Sequence, residues 1–145
     1  MDPVIRAMTA ADKPAVLEMM RVFYASPALL SDGSEEIFAA DVDQCTGESP
    51  YLEGYVFEED GGIAGYAMLA KSFSTEFGRP CVWIEDLYVK PEHRKRGIGS
   101  LFLRRIGEKY RGCVLRLEAE PENESAIRVY RKCGFEPLPY LELKK

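Results

Sequence analysis

The sequence predicts a mixed α/β fold with the element order β-α-α-β-β-β-α-β-α-β, and three observations carry that reading. Apolar residues recur at helical spacing in four segments. Six apolar or alternating runs, most of them bounded by turn residues, read as strands between the helices. The 145 residues are 46% hydrophobic, which fits one domain over residues 1–145 with its own core rather than two.

Taken in order, "VIRAM" (residues 4–8) is a short opening strand. Thr9 and Asp12 then stand at capping-box spacing, and Pro14 falls in the first turn, where its missing amide does no harm. Val16, Leu17, Met20, Phe23 and Tyr24 share one face, so a first helix runs to about Ser26. "SPALLSDGS" interrupts it, and a second helix covers Glu35 to Gln44 on the weaker stripe of Ile37, Phe38 and Val42. Residues 51–73 read as two strands around an acidic turn at Asp60–Gly61–Gly62, an antiparallel hairpin. "RPCVWIEDLYV" (79–89) is the next strand, bounded by Gly78 and Pro91.

A third helix starts near Gly97 and buries Ile98, Leu101, Phe102, Ile106 and Tyr110. "CVLRLEAE" (113–120) is a strand, and a fourth helix follows with Ala126, Val129, Tyr130 and Cys133 on one face and Gly134 as its stop. "YLELKK" (140–145) closes the chain as an alternating strand. This order requires at least one β-α-β crossover in the second half.

Composition excludes several classes. No 18-residue apolar run and no charged-then-apolar leader exist, so neither a membrane span nor that route of export is expected. The four cysteines, Cys45, Cys81, Cys113 and Cys133, lack metal-site spacing and read as free thiols of a cytoplasmic protein, and with one histidine no metal site is expected. Net charge is −5 but unevenly spread. Residues 1–89 hold 16 acids against 5 bases, whereas residues 90–111 hold 8 bases against 2 acids. An acidic half suits a cationic partner and a short basic patch suits a compact anion, while nucleic acid would need an extended basic face.

The basic patch centres on "RKRGIGS" (94–100). The first amides of the helix that starts there lack intrahelical partners and carry the positive end of its dipole. Without a Cβ at Gly97 or Gly99, an anion can approach the backbone, with Arg94, Lys95 and Arg96 around it. A pyrophosphate fits; so does an ordinary solvated glycine loop. Neither the dinucleotide nor the P-loop glycine pattern is present.

The longer string "WIEDLYVKPEHRKRGIGSLFL" resembles the cofactor motif of the GNAT superfamily of acyl-CoA N-acetyltransferases, with Arg94, Gly97 and Gly99 after Leu87-Tyr88-Val89-Lys90-Pro91. A second stretch resembles that family's later motif, through Asn123, Ala126, Tyr130, Gly134 and Phe135. The likeness covers residues 54–145, and the layout is similar to the polyamine and thialysine acetyltransferase subgroup. It implies a GNAT fold whose central strands splay into an acyl-CoA slot. It further implies acetyl-CoA as co-substrate, with its diphosphate on the amides of Lys95, Arg96, Gly97, Ile98, Gly99 and Ser100. By the same resemblance Leu87, Tyr88 and Val89 lie along the pantetheine arm, and Asn123 and Ala126 contact the cofactor. Such enzymes often form homodimers, and nothing in the sequence picks the edge that would pair.

Acetyl transfer to an amine needs a base, because a lysine-like ammonium has a pKa of about 10, and an acid near the departing sulfur. Glu85 and Asp86 are adjacent carboxylates within an apolar strand, an arrangement that is costly unless they are solvated, partnered or used. Strict alternation would send them to opposite faces, with Glu85 beside Trp83, Leu87 and Val89. The resemblance implies that Glu85 is a water-mediated general base and Tyr130 the general acid. The alternatives are a salt-bridged carboxylate and a packed helix aromatic. Asp86 is a candidate for attracting a cationic acceptor or for a structural salt bridge, and His93 is expected to be solvated.

The subgroup's acceptor-reading Tyr-Glu pair on the first helix is not matched, since Phe23–Tyr24 or Tyr24–Ala25 stands there. Thr75 replaces another acid, with Glu76 adjacent. Tyr24 and Glu76 join Asp86 as candidate acceptor residues. The expected function is N-acetylation of a small cationic amine; a protein N-terminus or lysine as acceptor, or a non-catalytic acyl-CoA sensor, are the alternatives.

Overall fold

The structure is a computed structural model and describes residues 2–145. Its strands are β1 (Val4–Ala7), β2 (Leu52–Glu59), β3 (Gly62–Ser74), β4 (Arg79–Val89) and β5 (Val114–Leu117). Its helices are α1 (Lys13–Tyr24), α2 (Glu35–Thr46), α3 (Ile98–Lys109) and α4 (Glu124–Lys132). The strands form one sheet in the order β1-β2-β3-β4-β5. The first three pairings are antiparallel and β4–β5 is parallel, joined by the crossover through α3. The β2–β3 hairpin turns at Asp60 and Gly61, both at positive φ (53° and 81°), as a tight two-residue turn requires.

Each face of the sheet carries its own core. On one, Val16, Met20, Phe38 and Val42 of α1 and α2 pack on Val56, Tyr66, Met68 and Tyr88. On the other, Ile98, Phe102, Leu103 and Ile106 of α3 pack on Tyr55, Phe57, Leu69, Val82 and Ile84, with Val129, Tyr130 and Cys133 of α4 at the margin. Burying the faces of the α1 and α3 helices in this way is what makes their apolar spacing productive.

Three expectations need correction. The first helix ends at Tyr24, two residues early, and the second reaches Thr46 with Ile37 exposed rather than buried. Third, "YLELKK" forms no strand: residues 135–145 are irregular, and Leu141 and Leu143 are exposed. An alternating strand needs a ladder partner and a face to bury. β5 offers only four residues, and Pro137 and Pro139 remove donors from the approach to it.

The turn into α1 is fixed by Asp12. Its carboxylate takes both terminal nitrogens of the Arg6 guanidinium at 2.8 Å and the Thr9 amide at 2.8 Å. The Arg6 hydrogen bonds are the main reason its pKa falls from 3.8 to about 2. A depressed carboxyl stabilises the fold above its unfolded pKa and ceases to do so as pH falls through the folded one. Asp12→Asn should therefore cost about 2 kcal/mol in denaturant unfolding at pH 7. The deficit should shrink from about pH 4 downward and be largely gone near pH 2.

Candidate active site

β4 and β5 pair only as far as Ile84 opposite Leu117. Beyond that point β5 ends, while β4 runs on to Val89 with β3 alone beside it. The edge of β4 from Glu85 to Val89 thus faces a gap in the sheet, with backbone groups available to an extended ligand short of the Val89 carbonyl, which Arg94 takes. This is the parting of central strands that the sequence resemblance implied.

A bulge stands at the mouth of the gap. Met68 pairs with Asp86 and Leu69 with Ile84, so Glu85 has no partner on β3. The extra residue changes which way the strand faces. Val82 and Ile84 belong to the core under α3, whereas Tyr88 belongs to the core under α1 and α2. Strict alternation is therefore broken. Trp83 does not share a face with Leu87 and Val89, and Glu85 and Asp86 do not part to opposite sides as expected. Both carboxylates act on the α1–α2 side, where Glu85 raises the pKa of Asp41 and Tyr24.

Asp86 is 4% exposed, and its two oxygens accept hydrogen bonds from the hydroxyls of Tyr24 (3.0 Å) and Tyr66 (2.6 Å). No salt bridge reaches it among the described residues, so the structural ion pair considered for it is not made. Burial pushes its carboxyl up to about 6, against the two tyrosine hydrogen bonds that oppose the shift. Glu85 reaches solvent, yet burial by the surrounding protein, then the charges of Asp86 and Glu142, raise its pKa as well. Its electrostatic neighbours are carboxylates rather than the cation a surface salt bridge would supply. Glu118, just past the end of β5, shares a hydrogen bond with Glu142 that raises its pKa.

At the other end of the gap, Gly97 caps α3 at φ 82° with no side-chain hydrogen bond to the helix amides. A Cβ built at Gly97 or Gly99 would meet nothing within 4 Å, so space for a ligand lies against this backbone. Lys95 also adopts a left-handed φ, 63°. The loop cations are partly committed: Arg94 Nε donates to the Val89 carbonyl at 2.7 Å, and Arg96 reaches Glu59 (3.1 Å) and Asp60 (3.3 Å). His93 is not simply solvated, because its Nδ1 lies 2.7 Å from Glu59 Oε1.

Tyr130 packs at the margin of the α3 core with Leu87, Val89 and Leu117, and burial raises its pKa. It also borders a cavity of about 660 Å³ between β5 and the C-terminal segment, together with Glu118 and Glu142. Asn123 caps α4, half-buried, and Ala126 lies one turn in. The structure does not bring Glu76 to the site. It lies in the turn between β3 and β4, at the end of the hairpin remote from Asp86, and accepts a hydrogen bond from the Tyr140 hydroxyl.

Comparison with known proteins agrees with this geometry. The acetyltransferase (GNAT) family profile matches residues 16–135, and a thialysine N-epsilon-acetyltransferase of Bos taurus is 34% identical over 96% of this chain and 87% of its own. The chain belongs to the GNAT acetyltransferase family. It is an acetyl-CoA-dependent N-acetyltransferase, with acetyl-CoA as co-substrate. An L-amino acid N-acyltransferase of Escherichia coli is 31% identical over 61% of this chain and 54% of its own. The solved structure of the acetyltransferase AAC(6′)-Iy with a CoA bisubstrate analogue superposes with a TM-score of 0.81 at 18% identity, covering 100% of this chain and 98% of that one. At that identity the likeness speaks for the GNAT fold alone.

The residues fit the co-substrate: open backbone at Gly97 and Gly99 suits a diphosphate, and the unpaired edge of β4 suits a pantetheine arm. The sequence missed Tyr66, Asp41, Glu118 and Glu142, which come from β3, α2, the end of β5 and the C-terminal segment. Only Tyr66 had a local signal, a polar aromatic within the apolar run from Ile63 to Ala70. One consequence is measurable. The Asp86 carboxyl titrates higher folded than unfolded, so its ionisation costs stability as pH rises from about 4 through 6. Asp86→Asn should therefore raise unfolding free energy by roughly 1–3 kcal/mol at pH 8 and by much less at pH 4.

Proposed function

We propose that this GNAT enzyme acetylates the primary amine of a small cationic acceptor, with Glu85 as base through water and Tyr130 as acid. The observation that carries the reading is the gathering of Asp41, Glu85 and Asp86 on the α1–α2 side of the gap, none of them ion-paired among the described residues. Uncompensated carboxylates in a partly desolvated pocket attract and orient an ammonium. The opposite side of the sheet carries Tyr130, so acceptor and thioester approach the gap from different faces. The names of the bovine and bacterial relatives, one for thialysine and one for L-amino acids, support a small amine over a protein.

In this scheme Glu85 accepts, through a water molecule, the proton that the ammonium must lose. A carboxylate of raised pKa is the stronger base, and its contact with solvent lets the proton leave afterwards. The amine nitrogen then forms a bond to the acetyl carbon as the carbon–sulfur bond breaks. Tyr130 gives its phenolic proton to the departing sulfur, and it recovers one through solvent as the new amide nitrogen sheds its remaining extra proton. Burial raises the Tyr130 pKa above the usual phenol value, so the group holds its proton at neutral pH. Tyr24, through Asp86, lines the floor of the acceptor side. The basic loop contributes cofactor affinity, and the four free cysteines agree with a cytoplasmic protein.

CoA release measured over polyamines, thialysine and other amino acids, aminoglycosides and peptides should show turnover on small polycationic amines. Turnover confined to peptides, or acetyl-CoA binding with none at all, would defeat the assignment. Glu85→Gln and Tyr130→Phe should each lower kcat by roughly 10²–10⁴, with calorimetric affinity for acetyl-CoA intact. Because the base must be ionised, wild-type kcat/KM should fall on the acid side at a pH above the ordinary carboxylate range, and Glu85→Gln should abolish that limb.

A further inference from the structure

Glu59 ends β2 and is 7% exposed, and it lies outside the reacting centre. A carboxylate at that depth needs partners. Among the described residues it has them from one segment: His93 Nδ1 at 2.7 Å and Arg96 at 3.1 Å, with Asp60 of the adjoining turn adding a second contact to Arg96 at 3.3 Å. His93 and Arg96 flank the stretch that delivers the chain to Gly97 and the start of α3.

That stretch does not hold its own shape. Lys95 stands at φ 63°, a region that a residue with a Cβ rarely occupies, and Gly97 follows at 82°. Such a loop keeps its form only where its surroundings impose it. One anchor is Arg94 on the Val89 carbonyl, which ties the loop to its own strand. Another crosses to a different hairpin, where Glu59 takes His93 and Arg96 and Asp60 adds a longer contact to Arg96.

We propose that Glu59 is a positioning residue for the co-substrate: by gripping His93 and Arg96 it holds residues 93–97 in the shape that converges the α3 amides on a diphosphate. The proposal rests on the reading that those amides bind the diphosphate. It also reassigns Arg96, whose guanidinium serves the loop's shape rather than the ligand. The β2–β3 turn, acidic and tight at Asp60–Gly61, then supports the cofactor site through the loop it holds.

The test compares two ligands by calorimetry: CoA by direct titration, and pantetheine, which lacks the diphosphate, by displacement of CoA. Glu59→Ala should raise the Kd for CoA about tenfold or more, the scale of lost hydrogen bonds to a charged group, and leave the Kd for pantetheine within about twofold. Glu59→Gln, which keeps an acceptor oxygen, should recover part of the loss. Equal weakening of both ligands, or an unchanged Kd for CoA, would overturn the role. If Glu59→Ala does not fold, Arg96→Gln and His93→Ala, at a half-exposed and a partly buried position, should each show the same ligand-selective loss, and its absence from both would count against the proposal. A wild-type protein that binds CoA no more tightly than pantetheine would instead overturn the diphosphate site itself. That outcome is distinct from a wild type that prefers CoA and a Glu59→Ala variant that keeps the preference.

Discussion

The arrangement of the site depends on β4 having one residue more than β3 can pair. Glu85 is that residue, and its insertion turns the second half of the strand over. Before the bulge, β4 contributes Val82 and Ile84 to the α3 core and lies against β5. After it, the strand contributes Tyr88 to the other core and loses β5 altogether. The same irregularity therefore supplies a carboxylate, opens an edge of backbone and changes which core stands behind it. Straightening the bulge would re-register the strand and move each of these features together.

Around this break the charges are sorted by face and by end. Carboxylates collect on the α1–α2 side, where burial first, and then the charges of neighbouring carboxylates, raise the pKa of Asp41, Glu85 and Asp86 above that of ordinary acids. The cost is borne by an extensive apolar core: Val16, Met20, Val42 and Tyr66 are fully buried beneath the same helices. Tyr24 and Tyr66 lessen it by donating to Asp86 without neutralising it, which a lysine or arginine would do. Such a pocket is less stable than it could be and more attractive to an ammonium. The basic loop at the far end of β4 presents open backbone at Gly97 and Gly99 instead of buried charge.

Much of the scaffold was legible because local and tertiary demands coincide. α1 and α3 bury the stripes their spacing announces, the Asp60–Gly61 turn folds where the hairpin signal stands, and Gly97 and Gly134 take the positive φ expected of helix boundaries. Where the demands separate, the reading failed. "YLELKK" has the alternation of a strand but no ladder long enough to receive it. Glu76 is adjacent to a suggestive position in sequence, yet it lies at the remote end of its hairpin. His93, surrounded by charges in the chain, is held by a buried glutamate 34 positions away.

By itself the amino-acid sequence determined most of the element types, the open glycine loop and the family, because these depend on near neighbours and on repeating patterns. Only the tertiary structure decided which side of the sheet Glu85 and Asp86 face, which tyrosines hold Asp86, and what holds the basic loop. Each of those turns on a strand bulge or on a contact between distant segments, and neither leaves a periodic trace in the chain.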